Sequence, residues 1–145
     1  MSVLLQTAQP ENRAALSDLL IRAGLPVADL PTDLSGFTLA LVNGEVVGSA
    51  GIEKLAEGIG LLRSVVVAHE RQGEGLGARL FTEAMHTARS NGLRDIYLIT
   101  NTADRYFEKH GFQAISRDEA PPALAQTAQF DGLCPASSVV MKLNV

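Results

Sequence analysis

Tryptophan is absent from this 145-residue chain, aromatic residues supply only 5% of it, and cysteine occurs once, at Cys134. A single thiol rules out an internal disulfide, so the expectation is a fold held by its core in a reducing, cytoplasmic setting. Positive charge is also scarce, with 12 Lys and Arg against 16 Asp and Glu and a formal net charge of -4. Without a basic run there is no electrostatic footprint for DNA or RNA, and no nucleic-acid partner is expected. No window approaches the roughly 18 uninterrupted apolar residues of a membrane-spanning helix. Met1 to Gln6 carries neither the basic segment nor the apolar stretch of a signal peptide, so export and a membrane partner are not expected either. His69, His86 and His110 do not stand at metal-ligand spacing, and no metal is expected.

What the chain does have is apolar residues, 46% of the total. At this length one core can remove roughly 68–70% of the unfolded surface from water, so a single domain over residues 1–145 is expected. Val3-Leu4-Leu5 reads as a short strand, and Pro10-Glu11 opens a helix whose Leu16, Leu19, Leu20 and Ala23 recur at helical spacing before Gly24 and Pro26 stop it. Residues 29–36 carry no legible period. Phe37, Leu39 and Leu41, then Asn43-Gly44, then Val46 to Ile52 give the strongest hairpin signal in the chain. A second hairpin is expected at Ala56 to Gly60, leading into Leu61 to Val67, where Val65, Val66 and Val67 put β-branched residues on both faces of a central strand.

Beyond that strand, Glu70 to Gly77 leads into a helix with an apolar stripe of Leu76, Leu80, Phe81, Ala84, Met85 and Ala88, closed by Asn91-Gly92. Ile96 to Thr100 reads as a strand, Ala103 to His110 as a helix closed by Gly111, and Phe112 to Ile115 as a strand. Ala123 to Phe130 reads as a helix, Gly132 to Pro135 as a turn, and Ser138 to Leu143 as the last strand. Helices and strands alternate, which places the chain in the α/β or α+β class.

Gly73, Gly75 and Gly77 stand at every second position before the long helix, where several backbone N–H groups lack intrahelical partners. Without Cβ atoms the backbone can close around a pyrophosphate, whose charge the amides and the helix dipole stabilise. A tight strand-to-helix connection with no ligand is the alternative. A P-loop is excluded because the loop ends Gly77-Ala78-Arg79, with no Lys-Ser or Lys-Thr pair. A dinucleotide fold is disfavoured because the next strand ends Ile99-Thr100, without the carboxylate that would take a ribose.

Gln72-x-x-Gly75-x-Gly77, preceded by Val65-x-Val67 on a strand, resembles motif A of the GNAT superfamily of acyl-CoA-dependent N-acetyltransferases. Tyr106-Phe107-Glu108-Lys109-His110-Gly111-Phe112 is similar to that superfamily's downstream aromatic-Glu-Lys-x-Gly-Phe segment. The resemblance implies a mixed, mostly antiparallel central sheet with helices on both faces. The strands ending at Val67 and Thr100 would splay apart to bind acetyl-CoA as cosubstrate. It further implies that the pantetheine arm pairs with Val65, Val66 and Val67, and that the amides of Gln72, Gly73, Glu74, Gly75, Leu76, Gly77 and Ala78 take the pyrophosphate. An amide near Val65 or Val66 would polarise the thioester carbonyl. Asn101 and Phe107 are carried over as cofactor contacts. Phe107 stands where many relatives have the tyrosine that donates to the departing thiolate, and Tyr106 points roughly 100° away on a helix.

For the remaining chemistry, Glu53, just past Ile52, is the first candidate for the base that takes the amine's proton, with a solvated edge residue as the alternative. Arg63 and Ser64, upstream of the valines, are candidates to meet the substrate, Arg63 through an oxyanion or else in a surface salt bridge. Cys134 is a candidate donor to the leaving sulfur, or a buried apolar residue. Leu62 to Val67, Phe107 in place of tyrosine, and Gly132-Leu133-Cys134-Pro135-Ala136-Ser137 are together similar to the arsenic-resistance N-acetyltransferase branch. That resemblance implies detoxification of an amine-bearing arsenic compound or a similar small molecule. A CoA-binding sensor without turnover, a ligand-free structural domain, and assembly as a homodimer all stay open.

Overall fold

The computed structural model describes residues 3–101, 103–130 and 138–145. In chain order these form β1 (Leu4–Thr7), α1 (Arg13–Arg22), β2 (Phe37–Val42), β3 (Glu45–Ala56), β4 (Ile59–Val67), α2 (Leu76–Ser90), β5 (Asp95–Thr100), α3 (Asp104–Lys109), β6 (Gln113–Ile115), α4 (Pro122–Ala125) and β7 (Val139–Asn144). The strands make one mixed, mostly antiparallel sheet in the order β1-β2-β3-β4-β5-β7-β6. Its parallel pair is β4 with β5, joined through Ile59, Gly60 and Leu61 against Asp95, Ile96 and Tyr97. The mixed α/β class expected from the alternation of elements is thus the class observed.

The chain divides into two compact units, one of Met1–Ile52 with Arg63–Thr87, the other of Glu53–Leu62 with Ala88–Val145. In the first, Asn43 and Gly44 both have positive φ, 52° and 79°, and form the two-residue turn whose twist suits the flanking strands β2 and β3. Every residue of β2 is buried, as its unbroken Phe37-Thr38-Leu39-Ala40-Leu41-Val42 run requires. The β2–β3 register shifts between Ala40 and Leu41, so β3 carries one extra residue there. Gly48 lies close by for a steric reason. A methyl at this position would sit 2.9 Å from Leu80 Cδ1 of α2 and 3.2 Å from the Val66 carbonyl oxygen.

The segment between α1 and β2, silent in the sequence, holds no regular element but is tied down. Arg13 of α1 donates from Nη1 to the Pro31 carbonyl at 2.8 Å and from Nη2 to the Leu30 carbonyl at 3.2 Å, while Leu30 and Leu34 are buried. These bonds satisfy carbonyls that no strand or helix partner reaches.

In the second unit, Leu61, Tyr97, Leu124 and Val140 form a buried cluster against which Leu55, Ile59 and Phe130 pack. Gly58, at φ 75°, turns β3 into β4, and its carbonyl accepts from the amides of Arg94 and Asp95 at 2.9 and 3.0 Å. The helix expected over Ala123 to Phe130 is interrupted: α4 ends at Ala125, and helical backbone resumes at Ala128. Thr127 explains the break. Its hydroxyl donates to the Leu124 carbonyl at 2.8 Å and accepts from the Phe130 amide at 3.2 Å, taking backbone groups a continuing helix would use. Upstream, a 3-10 turn at Arg117–Glu119 is closed by a Ser116–Glu119 capping box, and those bonds from Ser116 hold the Glu119 carboxyl below its ordinary pKa.

Candidate functional site

Two stretches of the first unit hold most of the residues that the sequence singles out, the end of β4 and the loop into α2. In β4, Ser64 has φ 56°, a left-handed conformation that costs a non-glycine residue on the order of 1–2 kcal/mol and needs holding by its surroundings. Two neighbours hold it. The Ser49 hydroxyl, on β3 and fully buried, donates to the Ser64 carbonyl at 2.5 Å, and Arg63 Nε donates to the Ser64 hydroxyl at 3.3 Å. Val65, Val66 and Val67 follow, half-buried.

Arg63 is itself fixed. Its guanidinium donates to both carboxylate oxygens of Asp29, from Nη1 at 2.9 Å and Nη2 at 2.7 Å, and Nη1 also reaches the Asp29 carbonyl at 3.2 Å. A planar fork matched to a planar carboxylate is the geometry in which an arginine is most strongly retained. The sequence offered Arg63 as a substrate contact or a surface salt bridge. The structure gives a buried ion pair with the chain's own carboxylate, because the segment before β2 brings Asp29 onto it.

Past β4, Ala68 donates to the Val47 carbonyl at 2.8 Å, a 3-10 turn spans His69–Arg71, and Gln72 Nε2 donates back to the Val67 carbonyl at 3.1 Å. Gly73 and Gly75 have φ of 85° and 82°, with open space where their Cβ atoms would be. The helix is under way by the bond from the Arg79 amide to the Gly75 carbonyl at 3.2 Å. Leu76, Gly77 and Ala78 therefore occupy the first turn, whose N–H groups have no carbonyl behind them in the helix. Buried Leu76 anchors the turn while Gln72, Gly73, Glu74, Gly75 and Ala78 are exposed. These are exposed amides at the positive end of a 15-residue helix, a setting suited to a diphosphate.

Of the other sequence candidates, Glu53, Asn101 and Phe107 lie in the second unit. Glu53, on β3, is half-buried. Asn101 is exposed after β5, where Thr100 Oγ1 accepts from the Ala103 amide at 3.0 Å. Phe107 on α3 is buried, its ring edge-on to Tyr106 at 5.2 Å and to Phe112 at 5.8 Å. Tyr106 is 39% exposed and stacks edge-on with His110 at 4.8 Å, and partial desolvation raises its phenol above the ordinary value. Cys134 lies outside the described residues. Among the described residues no group of three His, Cys, Asp or Glu side chains could hold a metal.

Asp29 and Ser49 escaped the sequence reading. Ser49 did leave a trace, as a polar residue inside the apolar run Val46 to Ile52; Asp29 left none, since its segment has no period.

A sequence model of the acetyltransferase (GNAT) family matches residues 4–112. An amino-acid acetyltransferase of Ralstonia nicotianae is 30% identical over 93 residues, covering 63% of this chain and 21% of that protein, so the match spans about a fifth of the relative's length. N-acetylglutamate synthase from Neisseria gonorrhoeae, in complex with coenzyme A and N-acetyl-glutamate, has a TM-score of 0.86 at 21% identity, over 99% of this chain and 35% of that one. An acetyltransferase of the same family from Staphylococcus aureus Mu50 has a TM-score of 0.81 at 17% identity, over 99% of each chain.

Proposed function

The chain belongs to the acetyltransferase (GNAT) family, and from that premise we propose that it moves an acetyl group from acetyl-CoA to the primary amine of a small, amino-acid-like molecule. One observation carries the reading: the loop Gln72 to Ala78 offers first-turn amides and two left-handed glycines to an open space at the start of α2. A CoA pyrophosphate bound there would have its charge met by main-chain dipoles, with no lysine required. The rim of β4 at Val65, Val66 and Val67 would then take the pantetheine arm as an added strand. The names of the relatives support an amino acid as acceptor.

In the reaction the neutral amine nitrogen attacks the thioester carbonyl carbon, the C–S bond breaks, CoA leaves as thiolate, and the surplus amine proton passes to a base. Charge on the carbonyl oxygen would be met by a main-chain N–H of β4. Glu53 remains the candidate base, and Cys134 and Asn101 remain candidates for the thiol and cofactor contacts. A carboxylate on the acceptor would reach Arg63 only by displacing Asp29. The finer likeness to the arsenic-resistance branch adds arsenic-bearing amino acids to the acceptors worth testing.

Release of free CoA on incubation with acetyl-CoA and a panel of amines that includes L-glutamate and L-glutamine tests the proposal, with N-acetyl product identified by mass. A specific observation supports a second reading, a CoA-binding module without turnover: Phe107 fills the phenol position with a buried ring. Thermal stabilisation by CoA with no thiol release from any amine would select that reading, and no stabilisation at millimolar CoA would reject both.

A further inference from the structure

We propose that Ser49 is a positioning residue for acyl transfer, its buried hydroxyl holding the Ser64 carbonyl so that the Val65 N–H is presented to the thioester oxygen. The inference deepens the acetyltransferase reading and rests on it for the identity of the thioester.

In a planar trans peptide the C=O and the following N–H point in opposite directions. Ser64 C=O and Val65 N–H belong to one peptide, so whatever fixes the first fixes the second. Ser49 holds that carbonyl toward β3 at 2.5 Å, which turns the Val65 N–H away from β3. The left-handed Ser64, φ 56°, is what makes this orientation available in the middle of a strand, and glycine does not occupy the position. Without a restraint the peptide would relax toward ordinary extended geometry. Ser49 is fully buried, so its bond to the Ser64 carbonyl is shielded from bulk water. Arg63 Nε, on the Ser64 hydroxyl at 3.3 Å, restrains the same residue from its side chain.

Ser49→Ala deletes the donor and little else, and Ser49→Cys keeps a donor there, weaker and somewhat larger. Both are compared with wild type at a temperature where circular dichroism shows all three folded, using acetyl-CoA and the fastest acceptor of the amine panel. Because removal of a whole oxyanion donor costs about 10²–10³, loss of its positioning should lower kcat about 10–100-fold for Ala and less for Cys, with KM for acetyl-CoA within about 2-fold. A purely structural serine would lower stability and leave kcat of the folded enzyme unchanged, and that result overturns the inference.

A second measurement needs no turnover. With valine labelled with nitrogen-15, the Val65 amide proton should move downfield when acetonyl-CoA, a ketone that cannot transfer its acyl group, replaces CoA. The shift should vanish in Ser49→Ala, or in Ser49→Cys should the alanine variant not fold. A Val65 amide indifferent to the ketone overturns the assignment, whereas a responsive Val65 with no acceptor turned over places the failure in the proposed function.

Discussion

Asp29 grips Arg63 through both terminal nitrogens, Oδ2 accepting from Nη1 at 2.9 Å and Oδ1 from Nη2 at 2.7 Å, with the arginine side chain 1% exposed. The pair joins an irregular segment to strand β4. Removing one partner strands the other's charge in the interior, so Asp29→Ala should destabilise the protein by about 3–5 kcal/mol in urea unfolding. Arg63→Lys should also weaken it, since an ammonium cannot span both oxygens. An Asp29→Ala protein as stable as wild type would mean the ion pair does not anchor the segment.

The glycine loop gives a prediction in which strain and charge separate. Gly75 has φ 82° and free space around it, so Gly75→Ala meets no atom and suffers only the left-handed penalty, roughly 1–2 kcal/mol of stability. Gly75→Asn should recover part of this, because asparagine tolerates the conformation. Gly75→Glu adds a carboxylate where the proposed diphosphate would bind and should weaken CoA by more than the alanine change does. Titration calorimetry with CoA decides, and equal affinity for the Ala and Glu variants would argue against an anion site.

At Gly48 the penalty is steric instead. Gly48→Ala drives a methyl against Leu80 Cδ1 and the Val66 carbonyl, and overpacking of this kind typically costs about 1–3 kcal/mol. Leu80→Val in the same chain should return part of the loss by making room. If the double variant is no more stable than the sum of the singles predicts, the Leu80 contact is not the source of the penalty.

Tyr106 makes the alkaline limb testable. Partial burial raises its phenol above the ordinary value of about 10, so the folded state holds the proton more firmly than the unfolded state. This contribution to stability is fully present below the unfolded value and is lost as pH rises through the folded one. Tyr106→Phe should therefore flatten the decline in thermal stability above about pH 10. An unchanged decline would assign it to other groups.

Much of this architecture was legible because its signals are local. Asn43-Gly44 specifies a turn through positive φ, the Val65 to Val67 run specifies a central strand, and the stripe from Leu76 to Ala88 specifies a buried helix face. The glycine loop was legible for the same reason, since Gly73 and Gly75 mark positions where a side chain would be strained. The clamp on Ser64 was not. It joins Asp29, Ser49 and Arg63 across distances in sequence that no period spans, and the left-handed backbone sits at a serine, where nothing in the residue type announces it. Thr127 misled in the opposite direction, because an apolar helical pattern continued past a hydroxyl that takes the backbone's own partners.

The compact units run Met1–Ile52 with Arg63–Thr87, and Glu53–Leu62 with Ala88–Val145, so the boundary falls inside strands β3 and β4. Neither unit corresponds to one uninterrupted stretch of coding sequence. On the ribosome, the first has all its residues once Thr87 has emerged, while the Glu53–Leu62 hairpin must wait for a partner sequence still to be translated. Deletion mapping with truncated genes would remove parts of one unit while stranding pieces of it in the other. Function is better dissected in this protein by point substitution than by fragments.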